Sequence, residues 1–283
     1  MRSIFTFLLL LLPVAARAQP VPAIGMVAEI SDDSLLAATG YSFRVEAIAD
    51  AVSPISVSDH EFEQVLAGLK ACRVPVQAAN LFLPGHLKVV GPDRKESDVL
   101  EYARVVFQRC QRAGIRLIVW GSGGSRRIPD GFERSTAREQ FITLARKLGQ
   151  SAAECGITLA LENLNREETN FINTLAEAHS IVREVSQTNV RLCADIFHML
   201  REGESPESIR RAGTLIVHCD IAENVDRSPP GTHGEDFAPY LQALRQSGYR
   251  GRITLECRWD DPGRQAQSAR IDLQQQLDSV YKK

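Results

Sequence analysis

The chain has 283 residues and an almost balanced charge, 33 Lys plus Arg against 35 Asp plus Glu, for a net charge of −2. With basic clusters no longer than Arg126-Arg127 and Arg210-Arg211, that balance argues against a nucleic-acid-binding face. Six dispersed cysteines (Cys72, Cys110, Cys155, Cys193, Cys219 and Cys257) include no C-x-x-C pair, which excludes a zinc knuckle and a thioredoxin motif. They read mostly as small buried residues, in a chain long enough to build a core without cross-links; export would still permit a disulfide.

The first residues read as a cleavable secretory signal peptide over 1–18. Arg2 gives a positive start, Ile4 to Leu12 is almost wholly apolar, and Ala16-Arg17-Ala18 is a small-x-small cleavage site. The competing reading is a retained anchor, against which the apolar run is too short to span a bilayer. Otherwise the expected address is the periplasm or the exterior, with no stable membrane insertion after cleavage. From about residue 23, apolar strand-like runs alternate with helical stretches. The predicted strands are 23–30, 41–48, 74–82, 116–121, 157–163, 190–196, 214–222 and 252–257. The predicted helices are 32–38, 58–71, 96–113, 135–155, 173–186, 205–212, 236–247 and 264–280. Ser58 and Asp59 are N-cap candidates before Phe62, Val65, Leu66 and Leu69, which share one helical face. Gly114, Gly156, Gly248 and Gly251 stand where helices give way to strands. Regular alternation implies a parallel sheet, and this length favours closure into a single α/β barrel, (β/α)8, over residues 19–283. An open dinucleotide-binding sheet is disfavoured because no G-x-G-x-x-G follows the first strand.

The last four predicted strands each stop at an acid: Glu162, Asp195, Asp220 and Glu256. Strand side chains alternate in direction, so His218 and Asp220 share a face, as do Thr254 and Glu256. If those faces point inward, four carboxylates meet at the rim where barrel enzymes build their sites. They would repel strongly without a cation, and an all-oxygen set suits a divalent metal ion such as Mg²⁺ or Mn²⁺ better than zinc.

These segments resemble the xylose isomerase-like TIM barrel family of the sugar phosphate isomerase/epimerase type. The resemblance runs through Leu161-Glu-Asn-Leu-Asn-Arg-Glu-Glu168-Thr, Ala194-Asp-Ile-Phe-His198-Met, His218-Cys-Asp-Ile-Ala-Glu-Asn224, Pro229-Pro-Gly-Thr-His-Gly234 and Thr254-Leu-Glu-Cys-Arg-Trp259. It implies metal-binding roles for Glu162, Asp195 and Glu256, and makes Glu162 and Glu256 the two acids flanking the reacting carbon. It implies substrate-binding roles for Glu168, His198 and, across a one-residue insertion, Arg227. The family usually reads His-x-His on the seventh strand and uses the second His as a ligand. Here Asp220 takes that place, an added negative charge that favours a hard cation further. His218 reads either as a substrate-binding residue or as a core histidine.

The expected function is a divalent-metal-dependent isomerase or epimerase of a keto-sugar or related carbohydrate, working by proton transfer through a metal-bound enediolate. Two alternatives stay open: a metal-dependent lyase on oxidised (keto) glycosides, and a non-catalytic exported sugar-binding barrel, for which Asp220 is the best support. The related abasic-site endonucleases use a histidine-rich multi-zinc site, and only six His are present. Gly121-Ser-Gly-Gly124 with Arg126-Arg127 could bind a phosphate, though such a loop is more often a turn. Glu46, Asn80, Phe82, Pro84 and Trp120 are candidates for the pocket lining. The expected partner is a small carbohydrate, with a homo-oligomer compatible with the sequence but not specified by it.

Overall fold

The structure, a computed structural model, describes residues 19–282, so the expected signal peptide lies outside the described residues. β1 (Ile24–Val27) leads to α1 (Asp33–Thr39), and β2 (Phe43–Ala47) to α2 (Ile48–Ala51) and α3 (Asp59–Ala71). β3 (Val76–Asn80) leads to α4 (Glu96–Ala113), and β4 (Leu117–Trp120) to α5 (Gly123–Arg126) and α6 (Arg134–Glu154). β5 (Thr158–Glu162) leads to α7 (Leu175–Val185), and β6 (Val190–Asp195) to α8 (Ile196–Arg201) and α9 (Glu207–Ala212). β7 (Ile216–Ile221) is followed by α10 (Ala238–Gln246), and β8 (Ile253–Leu255) by α11 (Pro262–Tyr281). Each strand pairs in parallel with the next, and β8 closes on β1, so the (β/α)8 barrel expected from the alternation is the fold. The one-turn helices α2, α5 and α8 were not legible in the periodicity. Two follow a strand directly and α5 follows β4 after two residues, and all three turn the chain at the rim.

Local chemistry explains the helix ends. Ser58 Oγ accepts from Glu61 N while the Glu61 carboxylate accepts from Ser58 N, a capping box that starts α3. Gly114 closes α4 at φ 79°, a left-handed conformation that favours glycine.

Inside the barrel, Phe43, Val45 and Ala78 form one apolar cluster, and Val119, Ala160 and Cys193 another. The larger core lies between the strands and the helices. There an aromatic run backs the ends of β3 and β4. Phe82 stacks on Phe107 at 5.5 Å and meets Trp120 edge-on; Trp120 stacks on Phe141 at 4.7 Å, which meets Phe171 edge-on. Burying one such ring is worth about 3–5 kcal/mol against alanine. Phe82 and Trp120 are therefore core residues and not pocket lining. Glu46 also leaves the expected lining. Phe43 and Val45 take the inner face of β2, so Arg44 and Glu46 point outward toward α1. There Arg44 lies 3.7 Å from Glu46 and its Nη1 donates to the Glu29 carbonyl. All six cysteines are unpaired.

Candidate metal centre and active site

Glu162 and Asp195 are the last residues of β5 and β6, Asp220 is the penultimate residue of β7, and Glu256 directly follows β8. Asp195 pairs with Asp220 across the sheet, which sets these two acids at one level, while Glu162 pairs with Cys193 and Glu256 stands two residues beyond Thr254, the partner of Asp220. One carboxylate oxygen from each of the four lies within 4.8 Å of the others. The expected convergence is present. Glu162, Asp195 and Asp220 are buried and Glu256 is partly exposed.

Burial raises the Glu162 carboxyl well above its ordinary range, and Glu256, Asp195 and Asp220 add to the effect. Burial lifts Glu256 to about 7 and Asp195 to about 6, in each case against the lowering pull of Arg227. Asp220 goes the other way. The upward push of burial is outweighed by His218 and by hydrogen bonds from His218 and Cys193, so its carboxyl is depressed. Oδ1 lies 2.9 Å from His218 Nε2 and Oδ2 accepts from Cys193 Sγ. His218 thus sits one pleat below the rim, beside Thr254, and its ring holds Asp220.

Arg227 brings positive charge into the cluster. Its Nη2 lies 2.6 Å from Glu256 Oε2 and 3.6 Å from Asp195 Oδ2, and its Nη1 is 3.3 Å from Glu168 Oε1. Its Nε donates to the Glu256 carbonyl, and its guanidinium lies 4.8 Å over the Phe197 ring. Burial would lower its pKa, but the surrounding carboxylates outweigh that, so Arg227 stays charged. Asp226 and Arg227 both adopt left-handed backbone, at φ 55° and 54°. Such strain persists only where surrounding structure holds it. Here Arg258 N donates to the Arg227 carbonyl and Glu223 N to that of Ser228, while the buried Glu223 carboxylate accepts from the backbone N–H groups of Gly231, His233 and Gly234 farther along the loop after β7.

His198 is fixed in one tautomer. Its Nδ1 faces the backbone N–H of Asn165 at 3.1 Å, a group that can only donate, so Nδ1 accepts and the ring proton is on Nε2. Burial lowers the His198 pKa to about 3, so the ring is neutral. Nε2 points into the cluster, 3.6 Å from Asp195 Oδ2 and 3.8 Å from Glu162 Oε1, with no hydrogen-bond partner. Asp195 Oδ2 also lacks a hydrogen-bond partner. Glu168 is at the outer edge, 3.9 Å from His198 Nε2.

Four convergent carboxylates, three of them buried, with an unsatisfied oxygen on Asp195, fit a hard divalent cation. The donor set is all oxygen, and ligand oxygens about a six-coordinate ion lie roughly 3–4 Å apart. Among the described residues, the candidate metal groupings include no histidine except His198.

Several supporting residues were not foreseen. A Cβ at Gly121 would lie 2.2 Å from Glu162 Oε2, so glycine leaves the space that the Glu162 carboxylate fills. Asn163 ties the ends of β5 and β6, accepting from Asp195 N and donating to its carbonyl. Asn80, a candidate lining residue, donates from Nδ2 to Glu256 Oε1 at 2.9 Å. The phosphate-loop reading of residues 121–127 fails. Arg126 is wholly buried and donates to the carbonyls of Glu162, Phe171 and Ile172, and Arg127 donates to that of Glu168. Both guanidinium groups thus have partners within the protein.

A profile of the xylose isomerase-like TIM barrel family matches residues 35–277. The chain is 34% identical over 120 residues to a D-psicose 3-epimerase of Enterocloster bolteae, covering 42% of this chain and 40% of that protein. It is 37% identical over 120 residues to an L-ribulose 3-epimerase of a Methylomonas species, covering 42% of each. These two matches thus span about two-fifths of each relative's length. A longer match, 28% identical over 211 residues, covers 72% of this chain and 80% of a 3-dehydro-D-guloside 4-epimerase of Escherichia coli. Among solved structures, D-psicose 3-epimerase from Clostridium cellulolyticum H10 superposes with a TM-score of 0.78 at 21% identity, covering 90% of this chain and 99% of that one. The 3-keto-D-glucoside 4-epimerase of E. coli does so with a TM-score of 0.73 at 24% identity, covering 90% and 98%. At these identities the superpositions establish the shared fold.

Proposed function

This chain belongs to the xylose isomerase-like TIM barrel family, and from that premise we propose that it is a divalent-metal-dependent sugar epimerase or isomerase acting on a keto-sugar. The observation that carries the reading is the meeting of Glu162 and Glu256 in one cluster, where burial raises both carboxyls. The epimerase relatives support it.

A C–H bond beside a ketone is weakly acidic, and its proton must leave from one face of the carbon and return to the other. A carboxylate whose pKa lies near the working pH both accepts and releases a proton efficiently. One of the pair Glu162 and Glu256 takes the proton, the C–H electrons move into a carbon–carbon double bond, and the carbonyl π electrons move onto oxygen. The other glutamate then delivers a proton to the opposite face. Return to the same carbon is epimerisation, and return to its neighbour is isomerisation. A divalent cation held by Glu162, Asp195, Asp220 and Glu256 would supply Lewis-acid polarisation of the ketone and its neighbouring hydroxyl. Arg227, permanently charged, and the neutral Nε2–H of His198 donate to oxygen as negative charge develops there. Asn80 orients Glu256, and His218 holds Asp220.

The test is solvent deuterium exchange into keto-sugars with Mn²⁺ or Mg²⁺, followed by product analysis. Exchange with recovery of an epimer or isomer supports the proposal, and exchange leading only to elimination would move the protein to the lyase reading. The oxygen-rich donor set gives no support to a multi-zinc nuclease. We also propose that the protein is exported, from the pattern of Arg2, Ile4 to Leu12 and Ala16-Arg17-Ala18. N-terminal sequencing of the mature protein, expected to begin at Gln19, checks this.

A further inference from the structure

Beside the carboxylates, the ends of β2, β3 and β4 frame a second cavity of about 460 Å³. Ile55, Leu81, Leu83 and Pro84 supply its apolar surface, and none of its lining residues carries a charge. Ile55 and Leu81 are 58% and 59% exposed, and they are two of the four large apolar side chains that stand out from the surface among the described residues. Leu81 also has φ 55°, a genuine outlier for a bulky residue. Ser122 across the cavity has φ 49°, and its Oγ accepts from Leu83 N, which ties the two loops together. Gly85 and Gly124 meet at the back, where a Cβ on Gly124 would lie 3.2 Å from the Gly85 Cα.

The cavity adjoins the proton-transfer site through the chain neighbours of both of its left-handed residues. Leu81 follows Asn80, which holds Glu256, and Ser122 follows Gly121, against which Glu162 packs. Strained backbone and exposed leucine both cost stability, and such features concentrate at ligand clamps. The opposite side of the mouth is built differently: Glu168, Arg201, Arg227 and Arg258 line a cavity of about 360 Å³.

We infer that the cavity under Ile55 and Leu81 is a subsite for an apolar aglycone, so that the substrate is a keto-glycoside and not a free or phosphorylated monosaccharide. This rests on the proposed proton-transfer function. The uncharged lining gives a phosphate no partner, whereas an aryl or alkyl group continuous with the reacting sugar covers the exposed leucine and isoleucine.

The test uses the full chain with Mn²⁺ and two probes, phenyl and methyl 3-keto-β-D-glucopyranoside, with binding followed by calorimetry and proton exchange followed separately in deuterium oxide. The phenyl glycoside should bind at least about tenfold tighter, the scale expected from burying part of an aromatic ring. Leu81→Asn with Ile55→Ser should abolish the preference while leaving exchange into the methyl glycoside unchanged. Asparagine tolerates left-handed backbone, so the Leu81 change is not expected to unfold the protein. Equal binding of the two probes overturns the subsite, even if both exchange protons. A preference that survives the double substitution overturns it too, as does a double variant that changes only the oligomeric state, which would make the patch an interface between copies. A phenyl preference without exchange into either probe would leave the subsite standing and refute the proton-transfer reading.

Discussion

The two halves of the barrel rim are built from different materials. The strands β5 to β8 deliver Glu162, Asp195, Asp220 and Glu256 into one buried cluster, with Arg227 and His198 beside it. The strands β2 to β4 deliver Ala47, Asn80 and Trp120, backed by stacked rings and opening on an uncharged cavity. Charge on the first half works against stability, because buried carboxylates repel and lose hydration. The second half is a well-packed wall on which that costly cluster leans. Under the proposed function, the chemistry belongs to the first half of the rim and the inferred aglycone subsite to the second.

The comparison breaks first at its charged side. Glu162→Gln and Glu256→Gln should each lower turnover by about 10²–10⁴-fold, the range of a lost general acid or base, with circular dichroism unchanged. Substantial turnover in either variant would remove the proton-transfer assignment. Next comes the seam between the halves. Gly121→Ala drives a methyl into the Glu162 carboxylate and should cost about 1–3 kcal/mol of stability along with a large loss of activity. A fully active Gly121→Ala protein would show that Glu162 works from another position. Cation binding should then appear as stability. Mn²⁺ at a hundred times its Kd should add about 2.7 kcal/mol, lost on chelation and in Asp195→Asn. An unchanged Tm on adding Mn²⁺, Mg²⁺ or Ca²⁺ would refute the metal site.

The smallest effect belongs to an acid on the other half. Burial raises the Glu46 carboxyl to about 7 from 4.5. A carboxyl raised on folding contributes stability that is full below the unfolded value and is lost as pH rises through the folded one. Stability should therefore fall between about pH 4.5 and 7 as this group ionises in its buried place. Glu46→Gln should flatten that slope in denaturant titrations at several pH values. An unaltered slope would place the titrating group elsewhere.

The charged half was legible because its signal is local. Each of the last four strands is an apolar run broken by an acid, so period and stop stand side by side in the chain. The cap of α3 was legible for the same reason, with Ser58 and Glu61 only one turn apart. Glu46 misled because it too is an acid near a strand end, but a shift of one residue in strand phase reverses the face. Arg126 misled because a basic residue after glycines resembles an anion loop. The chain alone does not show that its guanidinium turns inward to three carbonyls. The Gly121 and Glu162 contact joins two strands, and no local pattern announces it.

That contact has a consequence for how related chains can diverge. Glu162 occupies the volume that any side chain at position 121 would need, so position 121 cannot gain a side chain while the glutamate keeps this place. A lineage that keeps the glutamate keeps the glycine, and one that abandons proton transfer is released at both positions together. A side chain at position 121 in a related chain therefore marks a lineage in which the glutamate proposed to move the proton has shifted or been lost.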